Sequence, residues 1–552
     1  MPTITVNIDD LLSLIGAKLS EGELGSAISS LKCETEAVSG RDLTYEVTSD
    51  RPDLFSAEGL ARAIRNLLGK PKPETSSAKS PLLLNVGRTV KGIRPFIVAA
   101  AVYGSRLNED ALKQIMQLQE RLHGTYAAGR RKASIGIYDL DTVKPPFAYE
   151  ALPPEKISFV PLEEGSRMDG KQILENTLKG REYAPILEGL PRYPVLLDSE
   201  GQTLSMPPII NSDATKLGAG TKNLFIDVTG TSEPAINLCL NVISTSILER
   251  GGTLGRVDVV YPDRRLETPR MNWTPFHLHL ETIHEVSGLE LDANSVRNLL
   301  GRMGLRASSG RGGIFEVLVP PYRFDIMHEV DLVEDVIMAY GLNEIEPQYP
   351  LSAAIGKRLI GSRMRAKARD LMVGMGFQEI STYMLTNKEA SAKSMADPGP
   401  HAEIEKPLST EYAAVRGSLV PKLLLFLGSN SHHPCPQRIF EYGDVVNIRD
   451  GRAVASTLLS AAISDHSISF EEIQAVSSSL IRNLSTKISY EASEEGAFIQ
   501  GRCARVLVEG KPIGVIGETK PAVLLGFGIS NPTAIMELEM SKLSTLESLF
   551  RG

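Results

Sequence analysis

A chain of 552 residues cannot close around one hydrophobic core, because such cores stop growing near ~250–300 residues. Roughly three to five domains are expected. Hydrophobic residues at 42% and charged residues at 23% exclude a disordered chain. Aromatic content is only 6%, with one tryptophan, Trp273, so a protein that stacks many exposed bases is not in view. The formal net charge of −8 weighs against a dedicated duplex binder, which needs Lys and Arg for phosphate contacts. A local patch still suffices for RNA. Arg130, Arg131 and Lys132 form one, and Arg94 lies near Lys91, although a run of three cations also reads as a solvated turn.

The four cysteines (Cys33, Cys239, Cys435, Cys503) are widely separated and fit no zinc spacing. They read as reduced, mostly buried thiols. The start, MPTITVNIDDLLSLIG, carries Asp9 and Asp10 where a signal peptide needs apolar residues, and no stretch approaches the ~18 apolar residues of a membrane span. A cytoplasmic protein without membrane contact is expected.

Periodicity and turn residues divide the chain into four segments. Residues 1–75 form a small α/β unit. In it Thr3–Ile8 alternates as a strand, Asp9 is the expected cap of a helix running to about Ile15, and Tyr45–Val47 is a second strand. A helix over Ser56–Leu68 contains Gly59 as a mild weakness, and Glu74–Ser80 reads as a polar linker. Residues 81–262 are mixed. Ile97–Val102 is a buried strand. Leu112–Leu122 is a helix with Leu112, Ile115, Met116, Gln119 and Leu122 along one side. Ile135–Ile137 and Asn223–Val228 are strands, and Ile236–Leu248 is a buried helix. Residues 266–345 show a helix after Asp292, a strand over Phe315–Val319 and a helix over His328–Tyr340, a pattern suited to a winged-helix-like module. Residues 346–552 read as an antiparallel sheet flanked by helices, with a strand at Glu379–Met384 and a helix Val415–Leu427 interrupted by Pro421. The fold class is therefore multidomain α/β and α+β.

The densest acidic cluster lies in Pro320–Asp335. Asp331, Glu334 and Asp335 stand at helical spacings i, i+3 and i+4, and Asp325 in the preceding turn can fold back toward them. Two readings follow. The carboxylates either complement the positive end of the helix dipole, or they converge on a hard cation such as Mg²⁺ or Ca²⁺, for which oxygen-only ligands are suited.

That segment resembles the metal-bearing module of the phenylalanyl-tRNA synthetase β-subunit family, in its archaeal and eukaryotic cytosolic form. Other motifs agree in order: Asp50-Arg51-Pro52-Asp53-Leu54-Phe55-Ser56-Ala57-Glu58-Gly59, Arg130 to Asp141, Ser205 to Ser212, Thr221 to Thr231, and Pro436 to Asp444. The resemblance covers essentially the whole chain. It implies an editing domain over 81–262, a metal-bearing domain over 266–345 and an inactive class II synthetase-like domain over 346–552 that pairs with an α subunit. Asp325, Asp331, Glu334 and Asp335 become positions for a magnesium ion shared with that subunit. Phe440-Glu441-Tyr442-Gly443-Asp444 falls where an ATP-gripping arginine would be required, so a phosphate there would lack a counter-ion and ATP is expected at the α subunit. The implied partners are tRNA(Phe) and the α subunit, in an α2β2 heterotetramer.

Editing is needed because tyrosine is phenylalanine plus one hydroxyl, which an apolar pocket rejects only about 10²-fold. The matching positions are Leu196, Ser205, Asp227 and Thr229, with Asn211 and Ser212 nearby. Asp227 and Thr229 would orient substrate or water, Ser205 would give a hydrogen bond, and Leu196 would shape the wall. No Ser–His–Asp arrangement is visible, so water is the expected attacker. Asp227 and Thr229 also read as the plain end of a strand before Gly230. Ser232 departs from the pattern, which often has an acid there. Two other function classes stay open: a non-catalytic tRNA-binding or assembly subunit with editing lost, and a free-standing metal hydrolase.

Overall fold

The computed structural model describes residues 2–72, 77–78, 82–349, 355–389, 401–484 and 487–543. It separates into two units, Met1–Tyr349 and Pro350–Gly552. The first begins with a three-stranded antiparallel sheet in the order Thr3–Asn7, Asp42–Val47, Cys33–Ser39. The following helix, Ile8–Ile15, is capped by Asn7 and not by Asp9, because the Asn7 side chain accepts the Asp10 N–H at 3.1 Å. Asp9 sits in the first turn, where its charge complements the dipole. The helix Ala57–Leu67 is capped by Ser56 as expected, but Gly59 is no weakness. A Cβ there would lie 1.6 Å from the Asp53 carbonyl oxygen, so only glycine lets the preceding turn fold against the helix. Of the expected polar linker, Ser77–Ala78 forms a short strand, and the rest of residues 74–80 lies outside the described residues.

The dominant element is an eleven-stranded sheet whose main path runs Ile210–Asn211, Thr203–Met206, Tyr193–Leu197, Phe147–Leu152, Leu83–Val86, Thr253–Val260, Phe96–Tyr103, Leu224–Gly230, Ala133–Asp139. Six strands separate Thr203–Met206 from Ala133–Asp139. In a flat sheet the two would lie roughly 33 Å apart. Yet the Tyr138 hydroxyl is 2.8 Å from Ser205 Oγ, so the sheet is rolled until its ends meet. Arg130 adds to this seam. It donates to the Pro208 and Ile209 carbonyls at 3.2 and 2.9 Å and stacks over Tyr183, so it is a buried tie and not part of a solvated turn. Arg131 and Lys132 are exposed.

Two helices, the amphipathic Glu109–Gly124 and the apolar Glu233–Leu248, cover the outer face of the roll. The first buries Ala111, Gln114, Ile115, Leu118 and Leu122, whereas Met116, expected on that face, is 63% exposed. Its neighbour Ile115 holds the buried stripe, and one residue further turns the side chain roughly 100° away. The same core continues through Leu278, Ile283, Val296, Leu300, Val317 and Val336. These belong to a module of three antiparallel strands, Thr274–His279, Ile314–Val319 and Arg306–Ser309, with helices Leu280–Ser287, Ala293–Arg302 and Glu329–Tyr340. Asp292 caps the second of these, accepting the Asn294 and Ser295 N–H groups.

The second unit holds a seven-stranded sheet in the order Gln378–Glu379, Gln437–Arg449, Arg452–Ser464, Thr533–Glu539, Lys511–Thr519, Phe498–Val508, Ile488–Ala492. Every pair is antiparallel except the first. Ile360–Gly374 and Phe470–Asn483 pack on one face, and Val420–Ser429 with Pro521–Gly526 on the other. The expected strand Glu379–Met384 is mostly loop, with Glu379 alone in a strand. Pro421 opens its helix instead of interrupting it, since a first-turn proline loses no hydrogen bond.

Candidate functional site

Alternation along Leu224–Gly230 decides which side chains enter the roll. Ile226 and Val228 face the helices, so Phe225, Asp227 and Thr229 face inward. Phe225 stacks on Phe147 at 4.2 Å. Directly beside it, the Tyr138 hydroxyl lies 2.5 Å from Asp227 Oδ1 and 2.8 Å from Ser205 Oγ. One O–H donates once, so it donates to the carboxylate and accepts from the serine. Leu196 pairs with Ser205 across its strand edge and is fully buried, and Asn211 pairs with Ser205 on the other side. The four expected residues thus share one interior. Tyr138 is the hub that joins two of them.

Among the described residues Asp227 has no cation in direct contact. Arg94, also buried, spends its guanidinium on neutral oxygens: Nε donates to Thr229 Oγ1 at 2.9 Å, Nη2 to the Thr229 carbonyl at 2.7 Å, and Nη1 to the Arg131 carbonyl at 3.3 Å. Burial pushes the Asp227 carboxyl up to about 7, against the lowering effect of the Tyr138 bond and the more distant Arg94 charge. Burial also lowers Arg94 to about 10. Gly136, opposite Asp227 in the ladder, leaves the space that these groups use. A Cβ there would stand 2.0 Å from the Tyr138 oxygen and 2.4 Å from Asp227 Oδ1. A buried carboxyl near neutrality, bridged to two hydroxyls, is equipped to accept a proton from water.

The acidic cluster has a different geometry from the expected one. Asp325 receives a two-pronged bond from Arg323, at 2.8 and 2.7 Å, and Asp335 takes the same guanidinium at 2.9 Å. Asp331 folds back to accept the Met327 and His328 N–H groups at 2.8 and 2.7 Å, completing a capping box with His328. Glu334 points outward to Lys32, 2.6 Å away. Each carboxylate has therefore taken the nearest donor, and among the described residues no three of the four come within mutual reach of one ion. The donor chemistry suits magnesium, but the arrangement within this chain does not form its site. Beside Arg323 lies a second buried pair, Arg51 and Asp53, bonded twice at 2.9 Å.

In the second unit an arginine does reach the segment expected to lack one, but it is already paired. Arg416 reaches the 440–444 segment from an earlier loop, donating from Nη1 to Glu441 at 2.7 Å and from Nε to the Asp444 carbonyl at 2.9 Å. It is 4% exposed, so its charge is neutralised by Glu441 and closed to a phosphate.

Sequence reasoning missed Tyr138, Arg94, Gly136 and Arg323. Tyr138 and Gly136 stand at two-residue spacing on Ala133–Asp139, which was the available signal that they share a face with the inward side of the next strand. Arg323 was hidden among the acids it neutralises.

Comparison with known proteins follows the same divisions. A family model described as the phenylalanyl tRNA synthetase beta chain CLM domain matches residues 345–540, and one described as the tRNA synthetase B5 domain matches residues 276–342. The phenylalanine–tRNA ligase beta subunit of Pyrococcus furiosus is 40% identical over 556 residues, covering 98% of this chain and 100% of the relative. That of Thermococcus kodakarensis is 39% identical over 573 residues, covering 99% of both. A crystal structure of an N-terminal fragment of the Pyrococcus horikoshii phenylalanyl-tRNA synthetase beta subunit superimposes with a TM-score of 0.60 at 41% identity, covering 62% of this chain and 100% of that one.

Proposed function

The chain belongs to the family of phenylalanine–tRNA ligase β subunits, and from that membership we propose that it both completes a heteromer with an α subunit and hydrolyses tyrosine wrongly esterified to tRNA(Phe). It is one part of an aminoacyl-tRNA ligase. The heteromer joins ATP, phenylalanine and tRNA(Phe), with the synthetic site in the α subunit and an α2β2 stoichiometry, in the cytoplasm. The neutralised Arg416 supports placing ATP outside this chain. Residues 81–262 are the editing domain, 266–345 the winged-helix-like module and 346–552 the class II synthetase-like domain that meets the α subunit.

One observation carries the editing reading: the buried chain Asp227–Tyr138–Ser205, with the carboxyl at about 7. Ionised Asp227 takes a proton from the attacking water. With the Tyr138–Ser205 bond opened, the Ser205 O–H donates to the tyrosyl hydroxyl and the Tyr138 oxygen accepts from it, and Leu196 forms the apolar wall. Phenylalanine would leave those polar groups unpaired and so escape. Thr229, pinned by Arg94, fixes the end of the strand. Because every member is enclosed, entry of the tyrosyl group would part the Tyr138–Ser205 seam. A magnesium ion at the acidic cluster would have to draw Asp325 and Asp335 from Arg323 and Glu334 from Lys32, and take ligands from the α subunit.

The test is Asp227→Asn in the reconstituted heteromer. Deacylation of Tyr-tRNA(Phe) is expected to fall about 10²–10⁴-fold while phenylalanylation holds. Asp227→Ala with Thr229→Ala should likewise let Tyr-tRNA accumulate. Undiminished deacylation in these variants removes the assignment. A wild-type heteromer that never deacylates Tyr-tRNA would make the chain a non-catalytic tRNA-binding or assembly subunit.

A further inference from the structure

We propose that a basic cavity of about 630 Å³ in the first unit, remote from the seam residues, binds a small phosphate-bearing ligand. It lies where the helix Ala57–Leu67 meets the end of Glu233–Leu248, the strand Thr253–Val260 and the loop before Tyr322. Its volume is that of a small-molecule site.

The charge on its wall is unbalanced. Glu249 is approached by three cations: Arg65 at 2.5 Å, Lys72 at 3.2 Å and Arg62 at 3.8 Å. Three positive charges thus face the one negative charge of Glu249, and Arg306 is a further cation on the wall. Asp53, the next carboxylate, is already bonded twice by Arg51, and Arg256 is paired with Glu267. A phosphate monoester, at about −1.5 to −2 near neutral pH, answers that cation-rich wall more fully than a carboxylate.

Arg62 supplies an independent sign of an unmet demand for acceptors. It is 8% exposed, its guanidinium carbon lies over the Tyr322 ring at 3.8 Å, and neither Nη1 nor Nη2 has a hydrogen-bond partner among the described residues. Arg65 Nε and Arg256 Nε on the same wall are also buried and unpartnered. These nitrogens are buried at the cavity's edge, where donors without acceptors are costly, and a small swing of the Arg62 side chain into the cavity would present its paired N–H groups to phosphate oxygens. Arg62 lies too deep for an RNA backbone running over the surface, so the ligand is a small molecule or a chain terminus no larger than one nucleotide. Lys72, 48% exposed by its side chain, stands at the mouth.

The experiment titrates the full chain with inorganic phosphate and with AMP by calorimetry at low salt, and uses no aminoacylation or deacylation readout. Its failure therefore leaves the editing reading standing. Saturable binding of either probe is expected, weakened about tenfold or more by Arg62→Met and severalfold by the exposed Lys72→Met, which leaves the fold intact. Absence of binding of both probes up to about 10 mM overturns the proposal, as does binding that Lys72→Met and Arg62→Met leave unchanged. So does a Lys72→Met effect seen only on intact tRNA, which would make the cavity's rim an RNA contact.

Discussion

Two buried polar clusters in the first unit use similar residue types to opposite ends. Beneath the helix Glu329–Tyr340, the guanidinium of Arg323 serves Asp325 and Asp335, and Arg51 serves Asp53. Inside the rolled sheet, Asp227 faces a phenol, and Arg94 is turned to the hydroxyl and carbonyl of Thr229. The consequence shows in the protons. Burial would raise Asp53, but Arg51 outweighs it and holds the carboxyl below its ordinary value, while Asp227 rises to about 7. Where arginines bond the acids directly, with Arg323 shared by Asp325 and Asp335, the cluster fastens one element to another, and Asp53 is held ionised while burial still raises Asp335. Where the cation is diverted, a proton stays exchangeable near pH 7, which is what hydrolysis requires.

The largest expected effect comes from breaking the paired cluster. Arg323→Met strands Asp325 and Asp335 in the interior and should cost about 3–5 kcal/mol in denaturant unfolding. A loss below about 1 kcal/mol would erase the distinction between the clusters. Next is the pH dependence of stability. A carboxyl with a folded value raised above 3.8 favours the fold below that pH, and the benefit is lost as pH rises to about 7. Stability should thus decline across that window by roughly 4 kcal/mol at most, and Asp227→Asn should flatten this slope. Deacylation should run the other way and rise through about pH 7, because it needs the ionised form. Tyr138→Phe is milder, at about 1–3 kcal/mol, since it unpairs Asp227 and Ser205 without stranding a full ion pair. It also removes a bond that lowers Asp227, so the deacylation midpoint should move to higher pH. The smallest change is Lys32→Met. Lys32 and Glu334 are both partly exposed, so the pair is worth under about 1 kcal/mol, and chelating magnesium from the isolated chain should change its unfolding free energy by no more than that.

Much of this was legible in the sequence, and the limits have physical causes. Motif order, through the family resemblance, placed Asp227, Thr229, Ser205 and Leu196 in one domain. Tyr138 escaped because its bond to Ser205 spans sixty-seven residues and exists only once the sheet rolls. The acidic helix shows a related limit. Spacing correctly put Asp331, Glu334 and Asp335 on neighbouring turns, but adjacent positions differ by roughly 100°, so Asp335 turns inward at 3% exposed while Glu334 turns to solvent. Asp325 does fold back, toward Arg323 and not toward the other acids. Caps set by side-chain contact, as at Asn7, are below the resolution of pattern reading.

The carbonyl of Asp53 resting against Gly59 has a bearing on protein engineering. Replacing a helical glycine with alanine is a standard stabilising step, worth about 1 kcal/mol on propensity, and Gly59 stands in the first turn of its helix. At this position the added methyl would meet backbone, and relief would have to come from the turn that carries Arg51 and Asp53. One hydrogen atom in place of a methyl thus sets the height at which the salt-bridged floor of the acidic module rests, and a thermostabilised variant chosen by helix statistics would be undermined there first.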